Sequence, residues 1–295
     1  MTVAIPRAPT ARKGATPTGT DRQRPHPFLK WAGGKGQLLE QFLPLIPSGF
    51  RGYVEPFAGS AAVFFRVANG GRTSRRLLAD SNQELVNCYR VVRDQVEEVI
   101  RILRNHQKLH GNDHYYETRA VRPETLPEVD RAARMIYLNR TCYNGLYRVN
   151  SKGLFNVPIG RYVNPRICDA ANLRLVSHAL RGCELLDKPF EEAPEYCRGG
   201  DLVYLDPPYQ PISATSKFTS YTAGQFTAED QERLASVFTE LDRNGCLLMM
   251  SNSDSPLIRK LYRARFRIRT VRARRAINSR SDRRGPIREL LICNY

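Results

Sequence analysis

The chain has 295 residues, with 46 Lys and Arg against 29 Asp and Glu and a formal net charge of +17. That length suits one large domain or one domain with an insertion, and the charge favours a polyanionic partner, nucleic acid ahead of membrane. No apolar run reaches ~18 residues, no signal-peptide stretch opens the N-terminus, and seven scattered cysteines lack C-x-x-C spacing. A membrane span, a disulfide framework and a zinc site are thereby excluded, and a cytoplasmic protein with reduced, mostly buried thiols is expected.

Residues 1–25 are rich in Pro, Thr, Arg and Gly and read as a disordered basic arm. "FLKWAGGKGQLL" then carries Gly33, Gly34, Lys35 and Gly36. It is no nucleotide P-loop, because Leu29 and Gly36 stand where Gly and Ser/Thr are required. "GYVEPFAGSAAVFFRVA" reads as a short strand, a glycine turn and an apolar helix. "RRLLADSNQELVNCYRVV" adds a strand ending at Asp80 and a long helix running toward Asn105.

Residues 90–170 interrupt this rhythm with helical segments and the Gly- and Asn-rich "RTCYNGLYRVNSKGLFNVPIGRY", which predicts a small inserted domain. "CELLDKPF" and "DLVYLDPPY" are the third and fourth strands, and "NGCLLMMSNSD" is a fifth after a helix capped by Thr227. "YRARFRIRTVRARRAIN" and "PIRELLICNY", joined by "SRSDRRG", predict a closing antiparallel hairpin. Strand–helix alternation implies an α/β fold with a doubly wound, mostly parallel sheet and ligands at the carboxyl ends of its strands.

Two of those ends carry chemistry. Gly59 follows the first strand, where backbone must come close to a ligand. Asp80, at the tip of the second, stands where such folds bind ribose hydroxyls; this pattern fits NAD enzymes and methyltransferases alike, although the full G-x-G-x-x-G is missing. At the fourth tip, Asp206-Pro207-Pro208-Tyr209 presents an acceptor and an aromatic face on a stiff turn. The combination suits a flat exocyclic amine. The Asp206 side chain and the Pro207 carbonyl would accept its two hydrogens, Tyr209 would stack on the base, and the nitrogen would attack a sulfonium methyl in line.

"FLKWAGGK", "EPFAGSAAVFF", "ADSN", "YLDPPY" and "SNSD", in that order, resemble the DNA adenine-N6 methyltransferase family, in particular its Dam-like D12 group. The similarity runs from about residue 26 to the C-terminus. It implies a Rossmann-like catalytic domain over 26–89 and 171–295, with a small, mainly helical target-recognition insert over 90–170. The implied cofactor is S-adenosylmethionine, bound by Trp31, Lys35, Phe57, Gly59, Asp80 and Asp206, with Asp206, Pro207 and Tyr209 catalytic and no metal. The implied partner is double-stranded DNA at GATC, without a membrane, and the protein would act as a monomer with at most weak self-association on DNA. Lys30, Tyr143, Asn144, Leu146, Arg148, Pro158 and Tyr162 fall at DNA-contacting motif positions, while Ile159 stands where the group usually shows an aromatic. Arg148 would read a guanine, and Tyr143 would stack where the target base leaves the duplex. Arg263, Arg265, Arg267 and Arg269, alternating along the penultimate strand, could track phosphates together with Arg272, Arg274 and Arg275.

Overall fold

Five apolar runs pair side by side as parallel strands: β1 (Gly52–Glu55), β2 (Arg75–Asp80), β3 (Cys183–Asp187), β4 (Leu202–Leu205) and β5 (Leu247–Ser253). Two more, β6 (Arg267–Ala273) and β7 (Ile287–Cys293), form an antiparallel hairpin whose second strand joins β5. The sheet order is β3-β2-β1-β4-β5-β7-β6. The computed structural model describes residues 24–31, 35, 38–67, 75–209, 226–273 and 287–295. Most of the predicted arm, Gly33, Gly34, Gly36, residues 210–225, Arg274, Arg275 and the "SRSDRRG" connection lie outside the described residues.

Strands β1 and β4 are buried along their whole length, which is why they read as unbroken apolar runs rather than alternating ones. The winding reverses between them. Their carboxyl ends therefore flank the crevice in which open α/β sheets bind ligands.

Helices cover both faces. On one lie α1 (Leu39–Phe42), α2 (Ala62–Val67), α3 (Gln83–Asp94) and α7 (Ala170–Leu180), and on the other α8 (Ala193–Tyr196), α9 (Ala228–Arg243) and α10 (Pro256–Tyr262). Thr227 caps α9 as predicted, in a reciprocal box with Asp230. Between β2 and β3 the chain adds α4 (Val96–Leu109), α5 (Asn112–Ala120) and α6 (Glu128–Thr141). Their buried residues Leu103, Tyr115, Ile136 and Leu138 belong to the same apolar cluster as Leu78 and Tyr204 of the sheet. One core thus runs from the sheet into this region.

Two expectations need correction. The single helix toward Asn105 is two helices, broken at Gln95 with φ −134° and ψ 39°. The break lets α3 stay against β2 and β3 while α4 packs on α6 and α7. The four alternating arginines also do not share a strand, because Arg263 caps α10 and Arg265, in the turn beyond, pairs with Asp242. Only Arg267 and Arg269 sit on β6, exposed, beside buried Val271 on the same face. All seven cysteines are free thiols, and six are buried. Among the described residues no helix is long and apolar enough to cross a membrane, and no His, Cys, Asp or Glu group is arranged to hold a metal.

Candidate active site

The turn after β1 is built to admit a close neighbour. Gly59 has φ +46°, a region that L side chains rarely adopt, and a Cβ there would stand 3.1 Å from Cδ1 of Trp31. The Gly59 N–H donates to Asp80 Oδ2 (3.0 Å), and the Tyr89 hydroxyl donates to the Gly59 carbonyl (2.8 Å). Asp80 Oδ1 takes the Asn82 N–H at 2.9 Å, so each oxygen has one backbone donor and a lone pair left for a hydroxyl. Burial raises the Asp80 pKa, and those two N–H groups oppose the rise. Trp31, Gly59 and Asp80 are thereby brought together. The Trp31 ring stacks on Tyr147 with centroids 5.4 Å apart.

Past β4 the two prolines end the ladder, and a polar cluster begins. Lys35, only 4% exposed, places Nζ 3.0 Å from Asp206 Oδ1 and donates to the Tyr209 hydroxyl at 2.8 Å. The same hydroxyl donates to Glu289 Oε2 at 2.7 Å, and that oxygen lies 3.4 Å from Lys35 Nζ. Burial alone would pull the lysine down, but Asp206 and Glu289 more than offset it and hold Lys35 an ammonium. Burial pushes Asp206 up to about 6 against the pull of Lys35, with the Glu289 charge adding to the rise. Burial and the same two carboxylates keep the Tyr209 phenol neutral. Two carboxylates share one ammonium, so at neutral pH the cluster carries an excess negative charge suited to a cationic ligand. Among the described residues no donor reaches Asp206 Oδ2 or the Pro207 carbonyl. These are the two acceptors a primary amine needs.

The turn itself is braced from beneath. Asn252 of β5 donates to Gln231 Oε1 (3.0 Å), and Gln231 Nε2 donates to the Pro208 carbonyl (3.4 Å), both side chains being fully buried. Phe57 takes a different neighbourhood from Trp31. It stacks on Phe190 at 5.2 Å and meets the edge of Phe226, forming an aromatic wall. Glu55, at the tip of β1, is buried and accepts from the Tyr53 hydroxyl. Burial raises its pKa to about 8 against that hydrogen bond, so it is mainly neutral at pH 7.

The expected DNA-contacting residues occupy a second, more open region. Asn139, fully buried on α6, accepts from the Lys30 N–H (2.7 Å) and donates to the carbonyls of Lys30 (2.7 Å) and Gly145 (3.0 Å). It ties the N-terminal segment to the "YNG" turn. Asn144 and Gly145 both have positive φ, and a Cβ on Gly145 would strike the Lys30 side chain at 2.4 Å. This turn projects Tyr143, 52% exposed, while its backbone N–H is held by the Pro158 carbonyl at 2.9 Å. Lys30 Nζ lies 4.0 Å from the centroid of the exposed Tyr162 ring. Arg148 Nε donates to Asn156 Oδ1 (2.7 Å) across a small hairpin bridged at Val149 and Phe155. Leu146 differs from the others in packing partly against the core.

Sequence reasoning missed Glu289, Asn139 and the Asn252–Gln231 brace. Asn139 left one signal, an amide within an apolar helix face, since a buried amide must find partners. Glu289 left none.

The sequence profile of the D12 class N6 adenine-specific DNA methyltransferases matches residues 31–277. The chain is 43% identical over 275 residues to the type II methyltransferase M1.LlaDCHI of Lactococcus lactis subsp. cremoris, covering 91% of this chain and 95% of the relative. It is 42% identical to the type II methyltransferase M.MjaIII of Methanocaldococcus jannaschii, covering 91% of this chain and 99% of the relative. It is 36% identical to the DNA adenine methylase of Escherichia coli K12, covering 90% and 93%.

Proposed function

Since the chain belongs to the D12 class of N6 adenine-specific DNA methyltransferases, we propose that it transfers a methyl group from S-adenosylmethionine to N6 of an adenine extruded from duplex DNA, at GATC. The observation that carries this reading is the pair of open acceptors, Asp206 Oδ2 and the Pro207 carbonyl, beside a neutral Tyr209 whose hydroxyl is held on both sides.

The amino nitrogen of adenine is a poor nucleophile because its lone pair is delocalised into the ring. Asp206 and the Pro207 carbonyl accept its two hydrogens and favour a pyramidal nitrogen, while Tyr209 fixes the plane of the base by stacking. The bound cofactor supplies an electrophilic methyl on a sulfonium and a neutral thioether leaving group. No strong base is required, because the methylated nitrogen becomes acidic and releases its proton past Asp206. Asp80 would take the ribose hydroxyls, the Gly59 turn the close approach beneath Trp31, and Phe57 an apolar face of the cofactor. The net negative charge around Lys35, Asp206 and Glu289 suits a sulfonium.

Residues 90–170 would read the DNA. Tyr143 would stack where the base leaves, and stacking of about 1–3 kcal/mol offsets part of the extrusion cost. Arg148 would contact one guanine, and the matching motif positions in "RTCYNG" and "LYRVN" support GATC. The test is tritiated methyl transfer to two duplexes differing only in GATC and GTTC, with Asp206→Ala as control. Incorporation into the GATC duplex alone, lost in the variant, is expected. Incorporation into both keeps the chemistry and discards the site.

A further inference from the structure

Glu289 sits on β7, 80 positions beyond Tyr209 in the chain, yet its carboxylate closes the acceptor cluster. Because β7 runs antiparallel to β5, its early residues lie at the carboxyl edge of the parallel strands, and Glu289 pairs in register with Ser253, the last residue of β5. The side chain is 11% exposed. Its Oε2 accepts from the Tyr209 hydroxyl at 2.7 Å and lies 3.4 Å from Lys35 Nζ, which itself reaches Asp206 at 3.0 Å.

Two consequences follow from this loop of contacts. The Tyr209 hydroxyl has its proton committed to Glu289 and its lone pair to Lys35, so the ring cannot tilt or shift without breaking a charge-assisted bond. Lys35, drawn between two carboxylates, neutralises only part of Asp206, which therefore keeps acceptor strength for another donor. We propose that Glu289 is a positioning residue for methyl transfer, fixing the stacking plane of Tyr209 and dividing the Lys35 charge so that Asp206 remains an acceptor for the target amine. The competing role is a buried partner for Lys35 that only supports the fold.

This inference rests on the methyl-transfer reading, so the wild-type protein is assayed first on its best duplex. Absence of transfer there counts against that reading and leaves the test of Glu289 to the binding and stability measurements below. With transfer present, Glu289→Gln keeps an acceptor for Tyr209 but removes the charge. Its kcat is expected to fall on the order of 10–100-fold, as for a misplaced reacting group. The KM for duplex should stay within about threefold, because uniform binding is untouched. The acid limb of the rate profile should move to lower pH, since the Glu289 charge contributes to the raised pKa of Asp206. Independently of turnover, the Kd of S-adenosylmethionine measured by calorimetry should weaken more than that of its neutral-sulfur product.

A Glu289→Gln enzyme with wild-type kcat and an unmoved acid limb would overturn the proposal, as would a loss confined to thermal stability. If that variant does not fold, Glu289→Asp decides. It keeps the charge and shortens the reach, so kcat should fall with the acid limb in place; unchanged kcat sinks the assignment. Calorimetry on the wild type and Glu289→Gln also decides without transfer: equal weakening of both ligands, or of neither, counts against the division of charge.

Discussion

The acceptor cluster around Asp206 and the turn at Tyr143–Gly145 hold their polar groups by opposite means. Lys35, the Asp206–Tyr209 turn and Glu289 come from three widely separated positions in the chain, and Lys35 and Glu289 are almost fully buried. Their geometry is set by sheet order. The residues from Tyr143 to Tyr162 are contiguous in the chain, expose Tyr143 and Tyr162 while burying Phe155 and Val157, and hold one another through short-range bonds such as Arg148 to Asn156. Chemistry on an amine needs desolvated, preorganised acceptors, whereas reading a duplex needs reach and exposure. Asn139 ties the Tyr143–Gly145 turn, through the Gly145 carbonyl, to the Lys30 backbone of the N-terminal segment, whose next residue Trp31 lies against Gly59 of the first region.

The largest expected effect tests whether chemistry lives wholly in the first region. Asp206→Ala should lower single-turnover transfer by about 10²–10³-fold, the scale of losing one preorganised electrostatic partner, with duplex affinity nearly unchanged. The same region sets the pH profile. An ordinary Asp loses its proton near pH 4. Asp206 in the fold keeps it to about 6, so the acceptor is present above that value and lost as pH falls through it. Transfer should therefore decline below about pH 6, and an acid limb near 4 would contradict the burial argument.

Asn139→Ala comes next, because it removes three hydrogen bonds from a buried position. A stability loss of about 2–3 kcal/mol in urea titrations is expected from the stranded backbone groups. Both cofactor and duplex affinity should weaken, and weakening of only one would mean that the two regions are not joined through this residue.

Arg148→Ala confines its effect to the second region. Discrimination at one base pair should fall by about 1–3 kcal/mol, read by comparing kcat/KM across single-base variants of the site. Unchanged discrimination would remove Arg148 from the reader role.

The smallest effect on transfer belongs to Glu55, which is read through stability instead. Folding raises its pKa to about 8, so the folded state holds a proton that the unfolded chain has already lost. Its contribution to stability therefore falls as pH rises from about 4.5 to 8. Glu55→Gln should gain on the wild type by up to about 4 kcal/mol between pH 5 and pH 9, since each unit of the shift carries about 1.4 kcal/mol. Parallel denaturation curves at both pH values would show that the carboxyl stays solvated.

Much of this was legible from local pattern alone. Apolar runs ending on Asp80 and Asp206 located two strand tips, because a buried parallel strand needs continuous hydrophobicity and the polar residue after it marks the edge. Gly59 and the paired prolines marked turns through their restricted or permissive φ. The break at Gln95 was not legible, since no Gly or Pro stands there and only the packing of α4 on α6 and α7 demands it. Arg263 and Arg265 kept a strand-like alternation that the end of α10 overrides.

By itself, then, the sequence determined the kind of fold, the strand tips and the acceptor motif, because these depend on hydrophobic period and backbone restriction within a few residues. Tertiary structure alone decided that Glu289 joins Lys35 and Tyr209, and that Asn139 links Lys30 to the Tyr143–Gly145 turn. Both depend on which distant segments the sheet order and helix packing bring within hydrogen-bond distance, and no local periodicity records that.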